Sequence, residues 1–212
     1  MTMALPLAPQ DPGRRALMTG SALDGQLRAQ GPFYMKEPFD PIASERRSRQ
    51  ALLARLAPNV QVVDQEGRKL RFYDDVLKGQ HVVLSAMYSA CEQSCPPTMR
   101  NLLEARQLLG AEARTLRFVT MTLTPVSDDP RSLVAYKRRY NLPSDWLLLT
   151  GDPSEMERLQ AALGYSPQRI SDTALTHASM VRVCNERLMR WGHVNGLSSP
   201  RNIARMIRFE MA

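Results

Sequence analysis

Short apolar runs alternate with amphipathic segments through most of the chain, and they predict strands and helices in turn. Three runs have the length of buried strands: HVVLSAMY from His81, LRFVTMTL from Leu116 and WLLL from Trp146. Upstream of them, VQVVDQEGRKLRFY indicates two short strands around a turn at Gln65-Glu66-Gly67, because Gly67 can adopt a positive φ. Near the end of the chain, SMVRVC and RLMRW flank Asn185-Glu186 and predict a hairpin.

Capping side chains followed by proline mark the starts of the helices between these strands. The three start signals are Asp129-Pro130, Asp152-Pro153 and Ser199-Pro200. The stretch SERRSRQALLARL (44–56) predicts another short helix, with Ser44 as its N-cap and Leu52, Leu53 and Leu56 on one face. Strands that alternate with helices of this length predict an α/β fold with a central, largely parallel sheet and an antiparallel hairpin at its edge.

The first part of the chain has a different character from the rest. Residues 1 to about 43 are rich in Pro, Gly and Ala and show weak periodicity, which indicates an extended, partly disordered arm. We therefore interpret residues 1–57 as an N-terminal extension with a short helix, and residues 58–212 as one domain. The pair Arg14-Arg15 fits either a decayed twin-arginine export signal or a plain tail.

Composition narrows the function classes. The 212 residues carry a net charge of +7, and the positive charge is mostly arginine spread along the chain. Because a nucleic-acid binder concentrates such charge on one element with interleaved aromatics, we predict no nucleic-acid partner. No apolar stretch approaches the 18 or so residues that span a bilayer, so we expect membrane contact only through a partner protein. Three cysteines are too few for a disulfide scaffold and fit one functional pair plus one spare.

The candidate pair is Cys91 and Cys95, in the stretch MYSACEQSCPP. Pro96 and Pro97 fit only the first turn of a helix, so a helix is predicted to begin around Cys95, with Cys91 on the preceding strand-to-helix loop. The partial positive charge at a helix N-terminus favours a thiolate. From these residues alone the pair has four interpretations: a redox dithiol, half of a metal site, a structural disulfide, or two inert buried thiols.

From about residue 58 to 209 the chain resembles the Sco/SenC family, the thioredoxin-like copper proteins linked to cytochrome oxidase assembly. The resemblance depends on Cys-x-x-x-Cys-Pro at Cys91, Cys95 and Pro96, followed in order by LTPVSDDPRSLVAYKRRY, WLLLTGDPSEMERL and LTHASMVRV. A generic thioredoxin has two residues between its cysteines and this chain has three. The resemblance implies a thioredoxin-like central mixed sheet flanked by helices.

The resemblance also implies a metal site and a partner. In the family two thiolates and a histidine bind one copper ion, and the matching residues here are Cys91, Cys95 and His177. Soft thiolates select Cu(I), and an imidazole completes a three-coordinate site that also tolerates Cu(II). The expected role is that of a copper chaperone for a respiratory oxidase subunit, acting as a monomer in the periplasm or another extracytoplasmic space.

Other candidate residues have a plainer interpretation. His81 and His193 match no motif and are expected to be structural or solvated, and Cys184 lies in an alternating strand and is expected to be a small buried hydrophobe. The chain also departs from the family pattern at four positions beside the predicted ligands. These departures are Glu92, Gln93, Thr124 and Thr176. They affect second-shell hydrogen bonds and the docking surface rather than the ligands.

A second function class uses the same thiols. In a thiol–disulfide oxidoreductase, one of Cys91 and Cys95 attacks a target disulfide and the other resolves it. A peroxidase-like activity is a more distant third alternative. Only the copper site requires His177. We expect Cys95 to lie closer to the helix end and Cys91 to be more exposed to a partner, and therefore to react first with alkylating agents.

Overall fold

A mixed β-sheet forms the centre of the computed structural model, which describes residues 40–91, 95–165 and 179–212. Within these residues the sheet has seven strands. They are β1 (Gln61–Asp64), β2 (Lys69–Arg71), β3 (His81–Met87), β4 (Leu116–Thr122), β5 (Leu147–Thr150), β6 (Met180–Asn185) and β7 (Arg190–Asn195). All seven belong to one compact unit, Ser48–Ala212.

Five α-helices are described along with the strands. They are α1 (Pro41–Leu56), α2 (Cys95–Leu109), α3 (Pro130–Arg139), α4 (Pro153–Ala162) and α5 (Pro200–Met211). A π-helical turn at Phe72–Leu77 follows β2, and a 3-10 turn at Gly110–Thr115 joins α2 to β4. Helix α2 therefore begins at the predicted residue, Cys95.

The sheet is less parallel than the sequence pattern predicted. The strand order is β2-β1-β5-β4-β3-β6-β7, and only the pairs β3–β4 and β4–β5 are parallel. The four other pairs, β1–β2, β1–β5, β3–β6 and β6–β7, are antiparallel. The prediction of a largely parallel sheet was wrong, whereas the mixed sheet implied by the family resemblance is confirmed.

Strand β3 is apolar except for His81 and Ser85, because both faces of the sheet are covered. Successive side chains point to opposite faces. Val83 and Met87 therefore belong to one core cluster with α2, α3 and α5, and Val82 and Leu84 belong to a second cluster with α4. We call these the α2-side core and the α4-side core.

The predicted helix caps at the three Xaa-Pro steps are confirmed. Asp129 accepts the Ser132 N–H, and Ser199 accepts the Asn202 N–H. Asp152 caps α4 by accepting the N–H groups of Ser154 and Glu155. Each cap leaves the following proline in the first helical turn, where its missing N–H has no consequence.

Helix α1 begins earlier than the sequence predicted. Asp40 Oδ1 accepts the N–H groups of Ile42 at 2.9 Å and Ala43 at 3.1 Å, and so serves as the cap. The prediction of Ser44 as the N-cap was therefore wrong. The predicted leucine face is also only partly correct, because Leu53 is buried and Leu52 is exposed.

The two predicted hairpins are present, with one corrected turn. Gly67 has a φ of 81° in the turn between β1 and β2, as predicted. In the second hairpin, Asn185 pairs with Arg190, so the turn is 186–189 rather than Asn185-Glu186. Met189 supplies a positive φ of 54° there. Its unbranched side chain can adopt this conformation, but methionine shows no preference for it, so the residue type does not indicate the turn.

Candidate functional site

Cys91 lies on a tight turn that follows β3. The Cys91 N–H donates to the Tyr88 carbonyl at 3.0 Å, and Met87 at the end of the strand is tied to β4 because its carbonyl accepts the Leu123 N–H at 2.7 Å. The turn therefore starts from a fixed point at the carboxyl end of a central strand. Open α/β sheets usually carry their sites at this edge.

Cys95 is the first residue of α2, and its backbone connects the two cysteines. The Cys95 N–H donates to Cys91 Sγ at 3.3 Å. One of the helix N-terminal amides that has no partner within the helix thus points at the sulfur of Cys91. A sulfur in this position is stabilised as a thiolate by the amide and by the helix dipole. The sequence prediction that placed Cys91 on the loop and Cys95 at the helix start is confirmed.

Both cysteines are buried, which corrects one expectation. Cys91 is 1% exposed and Cys95 is 3% exposed, and both belong to the α2-side core. Cys91 is therefore not the more exposed of the two. The reason is that the turn after β3 folds back onto the start of α2, a long-range packing arrangement that loop composition does not reveal.

Tyrosines surround the cysteine pair, and the sequence analysis did not single them out as site residues. The Tyr88 hydroxyl donates to the Cys91 sulfur, and this bond, together with burial, raises the pKa of Tyr88 to about 12. Tyr136 on α3 and Tyr140 at the C-cap of that helix pack against each other with ring centroids 4.6 Å apart. Their hydroxyls find no hydrogen-bond partner among the described residues. The available signal was the i,i+4 spacing of two tyrosines on one helix face.

The electrostatic environment of Tyr136 shows how close α3 lies to the pair. Burial is the main cause that raises the pKa of Tyr136, and Cys95 is the next. Burial also raises the pKa of Tyr140, with smaller contributions from both cysteines against the lowering effect of Arg139. The two cysteines thus lie close enough to Tyr136 and Tyr140 to affect the pKa of both hydroxyls.

A buried carboxylate lies beside the cysteine turn. Asp128 accepts the Ser89 N–H at 3.2 Å and the Thr124 hydroxyl at 2.9 Å, and it also accepts the hydroxyls of Ser89 and Thr122. Thr124 is one of the departures from the family pattern, where an acidic residue is common. In this chain the hydroxyl at that position donates to Asp128 instead.

His177 lies outside the described residues, as do Glu92, Gln93 and Thr176. The described chain resumes at Ser179, two residues after His177. The Ser179 carbonyl accepts the Gly196 N–H at 2.6 Å. Gly196 in turn lies against α2, because a Cβ built on it would be 2.6 Å from Thr98 Cγ2 and 2.7 Å from the Ser179 oxygen. Ser179 is thus held next to the first turn of α2 by Gly196, whose neighbour Thr98 lies three residues beyond Cys95.

The other histidines and the third cysteine lie away from the pair. His81 begins β3, at the end of the strand opposite the cysteine turn, and His193 is exposed on β7. Cys184 pairs in register with Val82 and is buried in the α4-side core, on the other face of the sheet. Burial, with a smaller contribution from Glu186, raises the pKa of Cys184 to about 12. The prediction that Cys184 is a buried hydrophobe is confirmed.

Two kinds of feature are absent from the part of the chain that the structure describes. No group of three or more His, Cys, Asp and Glu side chains is arranged there to hold a metal ion. No described helix is long and apolar enough to cross a bilayer.

Comparison with known families gives a match over most of the chain. The SCO1/SenC family model matches residues 49–212. The chain belongs to the SCO1/SenC family. This confirms the resemblance inferred from Cys-x-x-x-Cys-Pro and the segments that follow it.

Individual relatives match a smaller part of the chain than the family model does. A protein of Stutzerimonas stutzeri named as copper-binding is 32% identical over 111 residues, which cover 52% of each chain. The chain spans about half the length of the curated relatives it matches.

Two solved structures illustrate the shared fold. Copper-bound ScoI of Bradyrhizobium japonicum has 20% identity and a TM-score of 0.56, with 71% of this chain and 96% of that chain covered. BsSco, described as a member of the Sco family of cytochrome c oxidase assembly proteins with a disulfide switch, has 20% identity and a TM-score of 0.54, with coverage of 71% and 90%. At this level of identity they show the fold, which is the thioredoxin-like mixed sheet expected.

Proposed function

We propose that this protein binds one copper ion through Cys91, Cys95 and His177 and delivers it to a subunit of a respiratory oxidase. The observation that carries the proposal is the buried pair of sulfurs at the start of α2, with the Cys95 N–H directed at Cys91 Sγ. Two thiolates brought together at the start of this helix are soft donors that select Cu(I). The copper named or bound in SCO1/SenC relatives supports the choice of metal.

The fixed chain after His177 supports the third ligand. Ser179 is buried and its carbonyl is held by Gly196, which touches Thr98 on the first turn of α2. Two residues of extended chain reach about 7 Å. The backbone of His177 is therefore tethered within about that distance of Ser179, which Gly196 holds beside the first turn of α2.

The proposed setting follows from the family. We place the protein in an extracytoplasmic space, and the description of a solved Bacillus anthracis relative as a SCO1/SenC family lipoprotein supports this choice. We propose that it acts as a monomer and reaches the membrane only through its oxidase partner, a cytochrome c oxidase in the description of BsSco.

Anaerobic titration with Cu(I) against a chromophoric competitor tests this proposal. His177→Ala should weaken Cu(I) binding at least tenfold and remove the thiolate-to-Cu(II) absorption, while Cys91 and Cys95 still form a disulfide. The dithiol is local to one turn and one helix start, and two thiolates alone favour a roughly linear Cu(I) geometry. His193→Ala is the matched control, because His193 is exposed on β7 and should leave affinity and spectrum unchanged. Unchanged affinity and spectrum in His177→Ala would remove His177 from the ligand set.

A second candidate function is thiol–disulfide exchange with a target protein, favoured by the disulfide switch described for BsSco. One thiolate of the pair attacks the target disulfide, forms a mixed disulfide and releases one target thiolate. The other cysteine then attacks the mixed disulfide, which releases the second target thiol and leaves a Cys91–Cys95 disulfide. Two electrons pass from the pair to the target. A wild-type protein that reduces protein disulfides but binds no copper would establish this function over the first.

A further inference from the structure

Asp128 is a carboxylate buried beside the cysteine turn. It is 0% exposed, and no described Lys, Arg or His forms an ion pair with it. A buried charge is costly unless hydrogen bonds compensate it. Here four donors do so. Oδ1 accepts the Ser89 hydroxyl, and Oδ2 accepts the Ser89 N–H and the hydroxyls of Thr122 and Thr124.

The position of Asp128 is itself fixed by the scaffold. Its N–H donates to the Thr124 carbonyl at 3.0 Å, and its carbonyl accepts the Thr150 hydroxyl at 2.7 Å. The next residue, Asp129, is the N-cap of α3. Asp128 is thus anchored to the ends of β4 and β5 and to the start of α3, all outside the cysteine turn.

Through Ser89, this anchor holds the turn that carries Cys91. Both polar groups of Ser89 that can donate, its N–H and its hydroxyl, bond to Asp128. Two residues later, the Cys91 N–H donates to the Tyr88 carbonyl, and Cys91 Sγ accepts the Cys95 N–H. The turn is therefore fixed at one end by Asp128 and at the other by the first amide of α2.

We propose that Asp128 is a positioning residue that favours the Cys91–Cys95 disulfide by holding the cysteine turn against the start of α2. The inference depends on the proposed function in that it takes this pair as the working group. Two thiols held in proximity behave as if at high effective concentration, which favours the bond between them. Oxidation by a reference disulfide joins the two sulfurs, and the two electrons and two protons of the pair reduce the reference to its dithiol.

Asp128→Asn is the central variant, because it keeps the shape and removes acceptors. An asparagine amide has one carbonyl oxygen and one NH2 group. In either orientation, the NH2 group faces N–H or O–H donors that bond to Oδ1 or Oδ2 of Asp128 in the wild type, and it cannot accept hydrogen bonds from them. Ser89→Ala removes one of the two bonds to the turn, and Ser89→Thr keeps the hydroxyl. The matched control is Asp64→Asn, since Asp64 is equally buried and accepts the N–H groups of Glu66 and Arg68 in the hairpin turn before β2.

The full-length variants are equilibrated at pH 7 in buffers of reduced and oxidised dithiothreitol, and the oxidised fraction is measured by alkylation and mass spectrometry. We expect Asp128→Asn to lower the equilibrium constant for disulfide formation at least tenfold, which raises the reduction potential by about 30 mV. Ser89→Ala should change it in the same direction by less, and Ser89→Thr should restore the wild-type value. Asp64→Asn should lower the free energy of unfolding without changing the potential.

Each outcome decides the inference. An unchanged or lowered potential in Asp128→Asn would overturn it, as would an equal shift in Asp64→Asn. If Asp128→Asn does not fold, the Ser89→Ala and Ser89→Thr pair decides, and equal potentials in those two variants would overturn it. If the wild type forms no Cys91–Cys95 disulfide in any buffer, the proposed redox pair fails together with this inference, whereas a shift confined to the controls refutes this inference alone.

Discussion

Burial on opposite faces of the sheet separates the three cysteines by environment. Cys91 and Cys95 share the α2-side core with a helix N-terminus directed at one sulfur, whereas Cys184 lies in the α4-side core among aliphatic side chains. The thiols of the pair are therefore expected to ionise more readily than the thiol of Cys184. A helix amide stabilises the anion of the pair, and desolvation opposes the anion of Cys184.

Mild oxidation should therefore join Cys91 to Cys95 and leave Cys184 as a thiol. Because burial raises the pKa of Cys184 to about 12, it should also resist iodoacetamide at pH 8 in the folded protein and react fully in denaturant. Peptide mapping of the oxidised and alkylated protein measures both. A major bridge to Cys184 would contradict the separation of the two core faces.

Within the pair, one thiol should ionise and react before the other. We still predict faster alkylation at Cys91, now because its sulfur accepts the Cys95 N–H rather than because it is exposed. Alkylation rates of the single variants Cys91→Ser and Cys95→Ser provide the measurement. Faster labelling in Cys91→Ser than in Cys95→Ser would reverse the assignment.

Glu186 gives a pH dependence that can be tested. Burial acts to raise the pKa of this carboxyl, but bonds from the Gly79 N–H, Arg49 and Tyr73 outweigh it and lower the pKa below its ordinary value. A lowered folded-state pKa contributes stability above the unfolded-state pKa, and this stability is lost as pH falls through the folded-state pKa. Glu186→Gln should therefore cost about 1–2 kcal/mol at pH 7, since Arg49 is partly exposed.

Urea denaturation of wild type and Glu186→Gln between pH 7 and pH 3 measures this effect. The difference in the free energy of unfolding should narrow as pH falls, because the wild-type carboxyl becomes protonated. A difference that stays constant across this range would show that the substitution acts through packing and not through the charge. Arg68→Gln is a useful comparison for an ion pair whose cation is mostly exposed.

At the scale of the elements, the sequence predicted those helix starts that depend only on neighbouring residues. The caps at Asp129, Asp152 and Ser199 were predictable because a side-chain acceptor and a proline fix the helix start within four residues. The turn at 186–189 and the cap at Asp40 were not. Met189 has no residue-type preference for a positive φ, and the Pro- and Gly-rich sequence before Pro41 obscured the helix start.

Contact between elements decides the role of Gly196. Gly196→Ala places a methyl group against the Ser179 carbonyl and Thr98, and one of these must move. Since Ser179 fixes the chain after His177, we expect weaker Cu(I) binding, by about tenfold, with little change in Cys91–Cys95 disulfide formation. Competitive Cu(I) titration and disulfide mapping provide the two measurements.

Gly192→Ala is the control for that variant, since Gly192 lies on β7 and Gly196 follows the last residue of that strand. The three nearest atoms to a Cβ built at Gly192 all belong to the side chain of Glu210, at 2.3–2.6 Å, so that side chain must shift, whereas the Ser179 carbonyl is not among them. Its Cu(I) affinity should therefore remain close to that of the wild type. Equal losses of affinity in Gly192→Ala and Gly196→Ala would indicate a general effect of β7 distortion.

For the whole molecule, the sequence predicted which segments form the central strands better than it predicted whether neighbouring strands run parallel or antiparallel. The apolar runs from His81, Leu116 and Trp146 became the three central strands, because a strand buried on both faces is apolar throughout. Whether β1 runs parallel or antiparallel to β5 depends on contacts between distant segments, which a single sequence does not show. The cysteine pair was predictable from spacing, whereas the Asp128 network joins residues from three separate segments.

Two cores on one sheet predict that stability and thiol chemistry can be perturbed separately. Leu102→Ala on α2 and Leu159→Ala on α4 each remove a fully buried leucine and should each cost about 2–5 kcal/mol. Only Leu102→Ala loosens the helix that begins at Cys95, so only it should change the rate of exchange with oxidised dithiothreitol. Denaturation and exchange kinetics on both variants test this, and equal rate changes would contradict it.

The pairing of β3 with β6 also has a consequence for how the protein is made. Val82 and Cys184 are neighbours in the sheet, yet they stand about a hundred positions apart in the chain. A ribosome that synthesises the chain from its N-terminus releases Cys91 and Cys95 long before Cys184 emerges. An oxidant acting on the growing chain therefore finds only the correct pair of thiols. The order of translation thus protects the pair from mispairing, before any tertiary structure has formed to do so.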